Sequence, residues 1–382
     1  MQQTPHAPTS TLAPVIAAPT RRGRIAQAWM RLVRRYPYVI TCVGLMLVFV
    51  GIAQATAVHI GIPIRDPEGA LLGRRMIGPV LLMGLFAYFD ALRRAVRMRR
   101  GGTPGRLVVL SVAIFRERWW WKRLALAIVG FMSFAFTYLA YRNLKSFVSL
   151  IDYRTYDQQL LAMDRWMAFG VDPGNRMHEL LGAGLAAHVL SWIYLIYIPL
   201  VAITVSAALA FVERMREAYV FVATYMWCWI LGTASYYAIP TLGPFASRER
   251  IFTDLDRTNV SRLQAALIDH RIDLHADNIG EEFIGGIAGF ASLHVGIVVA
   301  VVLLMRYYRQ RLLMWMAIAF LVPTTIATIY FGWHFIVDDL AGAFIGWFAF
   351  VLGRATVYPR ILIVWRRRAV QVAHHEHADQ RA

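Results

Sequence analysis

Eight apolar runs, each near the length of a bilayer crossing, constrain this chain more than any other feature. They fall at 38–63, 76–92, 122–141, 186–211, 218–240, 291–308, 312–333 and 338–358, and about 20 apolar residues in helical form cross the hydrocarbon core. Composition agrees: 58% of the 382 residues are hydrophobic and 16% charged, where a soluble domain carries about a quarter charged. The expected fold is an all-α integral membrane protein of about eight transmembrane helices. The run at 76–92 is the shortest and ends in Asp90.

Charge sorting sets the orientation, because Lys and Arg gather in the short loops on the cytoplasmic side. With the N-terminus inside, the cytoplasmic pieces hold 27 of the 40 basic residues and the outer pieces most of the acidic ones. Both termini are therefore expected inside. The formal charge of +17 does not point to nucleic acid, since the excess lies beside membrane spans and no nucleic-acid motif is present. Anionic headgroups are the expected partners of Arg93, Arg94, Arg97, Arg99 and Arg100. Trp119, Trp120 and Trp121 beside Lys122 and Arg123 read as an interfacial anchor.

The first twenty residues are rich in Pro, Thr and Ala without apolar period and read as a disordered tail. Ala53-Gln54-Ala55 imitates a signal-peptide cleavage site, but the long basic lead before it argues for an uncleaved first helix. Cys42 and Cys228 both lie in apolar runs, so neither a disulfide framework nor a cysteine metal cluster is expected. Arg-rich, Lys-poor usage points to a high-GC bacterium and hence to a bacterial cell membrane.

Polar chemistry collects at the outer edge. His294 begins the sixth run, while His334 and Asp338 fall at the turn between the seventh and eighth. Ionisable groups at such depth are costly without a role. A spacing of four lets Asp338 meet His334 if the turn is helical, holding one imidazole nitrogen and leaving the other free as nucleophile or base. Phe290-Ala291-Ser292-Leu293 precedes an apolar helix, where backbone N–H groups favour phosphate, and Gly285, Gly286 and Gly289 permit close approach to a ligand.

Ala291-Ser292-Leu293-His294, followed some forty residues later by His334-Phe335-Ile336-Val337-Asp338, resembles the two catalytic motifs of the type 2 phosphatidic acid phosphatase superfamily. The likeness is closest to its inositol phosphorylceramide synthase-like branch, whose first motif reads Ser-Leu-His. Tyr156-Asp157 with Leu160, Asp164 and Asp172-Pro173 resembles that branch's outer segment, and Tyr237 with Pro240-Thr241-Leu242-Gly243-Pro244 its helix-end motif. The resemblance spans about 138–350. It implies a six-helix catalytic core at 122–358, preceded by a disordered basic segment at 1–37 and two extra helices with a basic loop at 38–121, and followed by a cytoplasmic tail at 359–382. It further implies that His334 attacks phosphorus to form a phosphohistidine, that Asp338 orients it, and that His294 protonates the leaving oxygen, with no metal or other cofactor.

Two departures from the family pattern bear on substrate. The phosphatase branch places Ser-Arg where this chain has Ala327-Thr328, and if Lys145 is the lysine of its first motif, Asp152 and Tyr153 replace an Arg-Pro pair. A dianionic monoester favours bidentate arginine, so the missing guanidiniums favour a phosphodiester. Arg142, Lys145, Ser292 and Tyr237 are the candidate substrate-binding residues. The expected substrate is a phospholipid or other lipid-linked phosphate, with a lipid or glycan hydroxyl as acceptor in a transferase, or water in a phosphatase.

Other readings stay open. The same His, His and Asp are suitable zinc ligands, and a transporter or scaffold would use them for a pathway or for packing. Tyr194 and Tyr197, three apart, either pack or line a lipid cleft. His270 and His275 with Asp269, Asp273 and Asp277 read as a solvated polar loop; that loop, about forty residues after Pro244, is long enough to cover a site.

Overall fold

The computed structural model describes residues 30, 33–66, 77–151, 154–275 and 286–359. The expectations for the N-terminal tail up to 29, for Asp152, Tyr153 and Gly285, for the side chains of His270, Asp273 and His275, for Asp277, and for the tail beyond 359 lie outside them. The chain is α-helical, with no strand among the described residues.

Six helices are long and apolar enough to cross a membrane: α1 (Pro37–Ile60), α4 (Trp121–Ile151), α7 (Leu185–Phe211), α8 (Met215–Ala238), α12 (Arg311–Tyr330) and α13 (Ile336–Val357). Two of the eight runs depart from that standard. The run at 76–92 becomes α2 (Ile77–Arg100), a 24-residue helix whose second half is basic. The run at 291–308 becomes α11 (Leu293–Tyr307), 15 residues long, which at 1.5 Å per residue rises about 22 Å. A helix of that length needs neighbours, and α11 packs against α8, α12 and α13.

Asp90, fully buried, does not end the second helix. It accepts from Arg93 at 3.1 Å, Arg94 at 2.9 Å and Arg118 at 2.6 Å, and so joins α2 to α3 (Leu107–Arg118), which occupies the basic loop. Two of the arginines expected at the membrane surface are thus ion-paired. Burying a carboxylate demands such partners.

At the other end, two short amphipathic helices, α5 (Asp157–Met167) and α6 (Pro173–Leu181), lie between α4 and α7. The long segment after Pro244 holds α9 (Pro244–Ser247), a single 3-10 turn and α10 (Asn259–His275). Its Val260 and Phe245 are buried in a cluster with Tyr330, Phe331 and Trp333, and Gln264 donates to the carbonyl of Phe331 at 2.8 Å. The segment is therefore packed over the turn that precedes α13.

The α11–α13 contact positions the polar residues. Gly342 and Gly346, four apart on α13, face Ser292 and Gly296 so closely that a Cβ on either would lie 2.1 Å from a carbonyl oxygen of the opposite chain segment. Small residues at this spacing let helices in lipid approach to backbone contact.

Candidate active site

His334 lies in the turn between α12 and α13, buried, with Nδ1 3.5 Å from Asp338 Oδ2. That separation is an ionic contact, beyond good hydrogen-bond length. Asp338 is the third residue of α13, and its Oδ2 accepts from the Phe335 backbone N–H at 2.9 Å, which fixes the carboxylate beside the imidazole. Nδ1 of His334 and Oδ1 of Asp338 are both buried without a hydrogen-bond partner among the described residues. In this state the pair is aligned but not closed.

His294, in the first turn of α11, faces His334 with ring centroids 6.3 Å apart. Tyr194 and Tyr197 of α7 hold it in place: their rings lie 4.2 and 4.1 Å from the imidazole, and Tyr197 donates to the Leu293 carbonyl at 3.1 Å. Tyr194 also stacks on Trp333 at 5.3 Å. Packing and lining are therefore one arrangement here, since both tyrosines pack, and what they pack against is the imidazole.

The N–H groups expected to receive phosphate are mostly engaged within the protein. Phe290 donates to Thr241 Oγ1 at 2.8 Å, Ala291 to Ser235 Oγ at 3.0 Å and Ser292 to the Asp338 carbonyl at 3.0 Å. Ser292 is fully buried, and its hydroxyl caps α11 by accepting from Val295 N–H. Gly286 and Gly289 are required by the chain's own packing: a Cβ at the first would lie 2.5 Å from the Lys145 carbonyl, and at the second 2.6 Å from Thr241 Oγ1. The close approach inferred from these glycines is real, but its object is the protein.

The four residues expected to bind substrate are thus differently placed. Tyr237 donates to the Leu144 carbonyl at 2.9 Å, tying α8 to α4, and Ser292 forms the α11 cap. Arg142 and Lys145 lie one turn apart near the C-terminal end of α4, both half-buried. The Lys145 ammonium sits 5.6 Å from the Tyr236 ring centroid.

Helices α5 and α6 supply carboxylates to which sequence reasoning assigned no role. Asp157, Leu160 and Asp164 recur at near-helical spacing and form the buried face of α5. Asp164 accepts from the Ile336 and Val337 N–H groups at 2.8 and 3.2 Å, so it closes the N-terminus of α13 next to His334. Burial pushes its pKa up to about 6 against the opposing pull of those two N–H groups. Asp157 accepts from Leu242 and Gly243 N–H at 3.1 and 2.8 Å, and burial raises its pKa as well. Asp172 caps α6 and pairs with Arg248. Asp339 is buried too, with Oδ2 2.8 Å from the Thr328 hydroxyl. Thr328 and Ala327, which stand in the place of the family's Ser-Arg, are both fully buried. A guanidinium there would have to displace packed core.

A family model described as the PAP2 superfamily matches residues 158–352, just over half of the chain, and the match contains His294, His334 and Asp338. The chain belongs to the PAP2 superfamily. Membership supports an enzyme of phosphatase or phosphotransferase type, acting on phosphate esters of lipids in a membrane setting. No curated protein and no solved structure matches the chain. In this PAP2 protein the matched region begins inside α5 and leaves α1 to α4 outside, yet α1 packs on α4, α8 and α13, and α2 on α7. The additional helices are integral to the bundle.

Proposed function

We propose that this protein transfers the phosphoryl-bearing headgroup of a lipid-linked phosphodiester to a hydroxyl acceptor through a phosphohistidine at His334, on the outer side of a bacterial cell membrane. The observation that carries the reading is the convergence of His294 with His334 and Asp338 from two separate stretches, with the imidazoles 6.3 Å apart and the carboxylate on the Nδ1 side of His334. The Asp338 carboxylate 3.5 Å from Nδ1 favours the proton on that nitrogen, which leaves the lone pair on Nε2. Nε2 attacks phosphorus, the P–O bond to the leaving group breaks, and the departing oxygen takes a proton from His294. Neutral His294 then removes the proton from the acceptor hydroxyl as its oxygen attacks phosphorus. The P–N bond breaks, and both histidines return to their starting states.

The diester preference rests on Ala327 and Thr328, buried where a guanidinium would meet a dianion, and on the small cationic set, Arg142 and Lys145, near the outer end of α4. Hydrolysis, with water as acceptor, is the alternative within the same chemistry, making the protein a lipid phosphate phosphatase. The inositol phosphorylceramide synthase-like motif Ser292-Leu293-His294 favours transfer.

The test uses purified protein in mixed micelles with headgroup-labelled phosphatidylinositol or phosphatidylglycerol and either a diacylglycerol of different acyl length, so that donor and product are distinguishable, or no added acceptor. A label that becomes protein-bound, stable to base and labile to acid, and that is lost in His334→Ala, supports the covalent step. Label release at equal rates with and without acceptor, with no transferred product, would turn the reading to hydrolysis. Turnover that survives His334→Ala would end it.

A further inference from the structure

A second candidate site lies at the opposite, basic end of the bundle, built mostly by helices outside the family match. α2, α3, the start of α4 and the α7–α8 turn enclose a cavity of about 770 Å³ lined by Arg94, Arg97, Arg118, Lys122, Arg123 and Glu213, with apolar Met98, Ile114 and Leu126 between them. Beside it an apolar groove of about 320 Å³ runs between α2 and α4, with Met83, Ala87, Phe115, Trp119 and Ile128 among its walls. Phe115 and Trp119 of the groove are the immediate sequence neighbours of Ile114 and Arg118 of the cavity, and their rings stack at 6.4 Å. Polar cavity and apolar groove thus adjoin across the end of α3 and together form a cleft.

The charges in the cavity divide into two sets. Arg94 and Arg118 are bound to Asp90 and Glu213. Arg123 donates to the carbonyls of Leu209, Val212 and Glu213, closing the end of α7. Arg97 and Lys122 are exposed and have neither an ion pair nor a hydrogen bond among the described residues. After Asp90, Glu117 and Glu213 are counted against the five basic side chains of the lining, two positive charges stay uncompensated. Trp120 and Trp121 are exposed beside the cavity, at a position typical of the headgroup level of a bilayer.

We infer that this cleft binds an anionic glycerophospholipid of the adjoining leaflet, its phosphate and headgroup in the Arg97–Lys122 cavity and one acyl chain in the α2–α4 groove. Charge complementarity selects an anionic lipid over a zwitterionic one, and the groove selects a lipid over a free phosphate. The bound lipid would fasten α2 and α3 to α4. The inference is independent of the catalytic reading, since the cleft shares no residue with the histidine site.

Native mass spectrometry of the full-length protein released from micelles containing equal amounts of phosphatidylglycerol and phosphatidylcholine tests it. Phosphatidylglycerol should be retained preferentially by the wild type. The double variant Arg97→Gln/Lys122→Gln, whose two side chains are exposed and make no hydrogen bond or ion pair among the described residues, should bind it about 30-fold more weakly, the equivalent of ~2 kcal/mol at ~1 kcal/mol per basic residue. Its thermal midpoint in lipid-free micelles should match the wild type. Equal retention of the two lipids by the wild type, undiminished binding in a variant of native midpoint, or displacement of phosphatidylglycerol by millimolar glycerol phosphate would each overturn the proposal.

Discussion

Gly342→Ala adds one methyl group at the closest point between α11 and α13. An added Cβ would stand 2.1 Å from the Ser292 carbonyl oxygen and 2.9 Å from its carbon, whereas ordinary contact begins at 3.4 Å. The two segments must therefore open by about 1 Å, and both neighbours are backbone, which cannot rotate away. The Ser292 N–H bond to the Asp338 carbonyl, 3.0 Å long, is stretched out of reach in the process. Overpacking of this kind costs about 1–3 kcal/mol and the lost bond about 1 kcal/mol, set against a gain of up to ~1 kcal/mol in helix propensity. For a chain of 382 residues, a net loss of about 2 kcal/mol lowers the thermal midpoint by roughly 2–3 °C. Because His294 and Asp338 ride on the two separated helices, a displacement near 1 Å also lowers turnover by about 100-fold. Fluorimetric melting in detergent measures the first effect, and the labelled-lipid assay the second. Gly51→Ala is the internal control: it lies in α1 with nothing within 4 Å of its added Cβ, so it should be neutral or up to ~1 kcal/mol more stable. If Gly342→Ala melts with Gly51→Ala, the backbone contact between α11 and α13 is not what aligns the site.

Four further outcomes are expected. Asp164 has a folded-state pKa pushed up to about 6, so the folded protein keeps a proton that the unfolded chain releases near pH 4. Its contribution to stability is complete below about pH 4 and is lost as pH rises through about 6, and Asp164→Asn should flatten the melting profile over that interval. His294→Gln should slow transfer from a natural lipid by about 10²–10⁴-fold, yet leave label trapping at His334 nearly intact with a nitrophenyl phosphodiester, whose leaving group needs no proton; equal losses with both substrates would remove the general-acid role. Asp90→Asn leaves three guanidiniums around a neutral side chain and should cost about 3 kcal/mol, read as a lower melting midpoint. Glu213→Gln, at a carboxylate whose side chain is 65% exposed, should cost under about 1 kcal/mol.

Much of the site was legible as residue types and spacings. His334 and Asp338 are four apart, and a turn of helix brings them together by local geometry alone. His294 stands at the head of an apolar run, which places it at a helix start. The carboxylates of α5 were visible as a motif without a task, because the partners of Asp164 are the N–H groups of Ile336 and Val337, about 170 residues away. The partners of the amides before α11 were hidden for a related reason: free N–H groups at a helix N-terminus are a local expectation, and Thr241, Ser235 and the Asp338 carbonyl reach three of them only in the folded chain. Asp90 looked like the end of a span because its three arginines come from two helices.

By itself, the sequence determined the membrane setting, the helical class, the order of the apolar elements and the side-chain chemistry at the heads of α11 and α13, since these follow from apolar run length, charge placement and short-range periodicity. Tertiary structure decided which of those groups meet. It placed Tyr194 and Tyr197 on His294, used Tyr237 and Ser292 as structural bonds, shortened α11 among its neighbours, and joined α2 to α3 through Asp90. Those outcomes depend on which backbone surfaces can approach, as at Gly296, Gly342 and Gly346. A string of residues shows that such glycines are small; only packing shows what they admit.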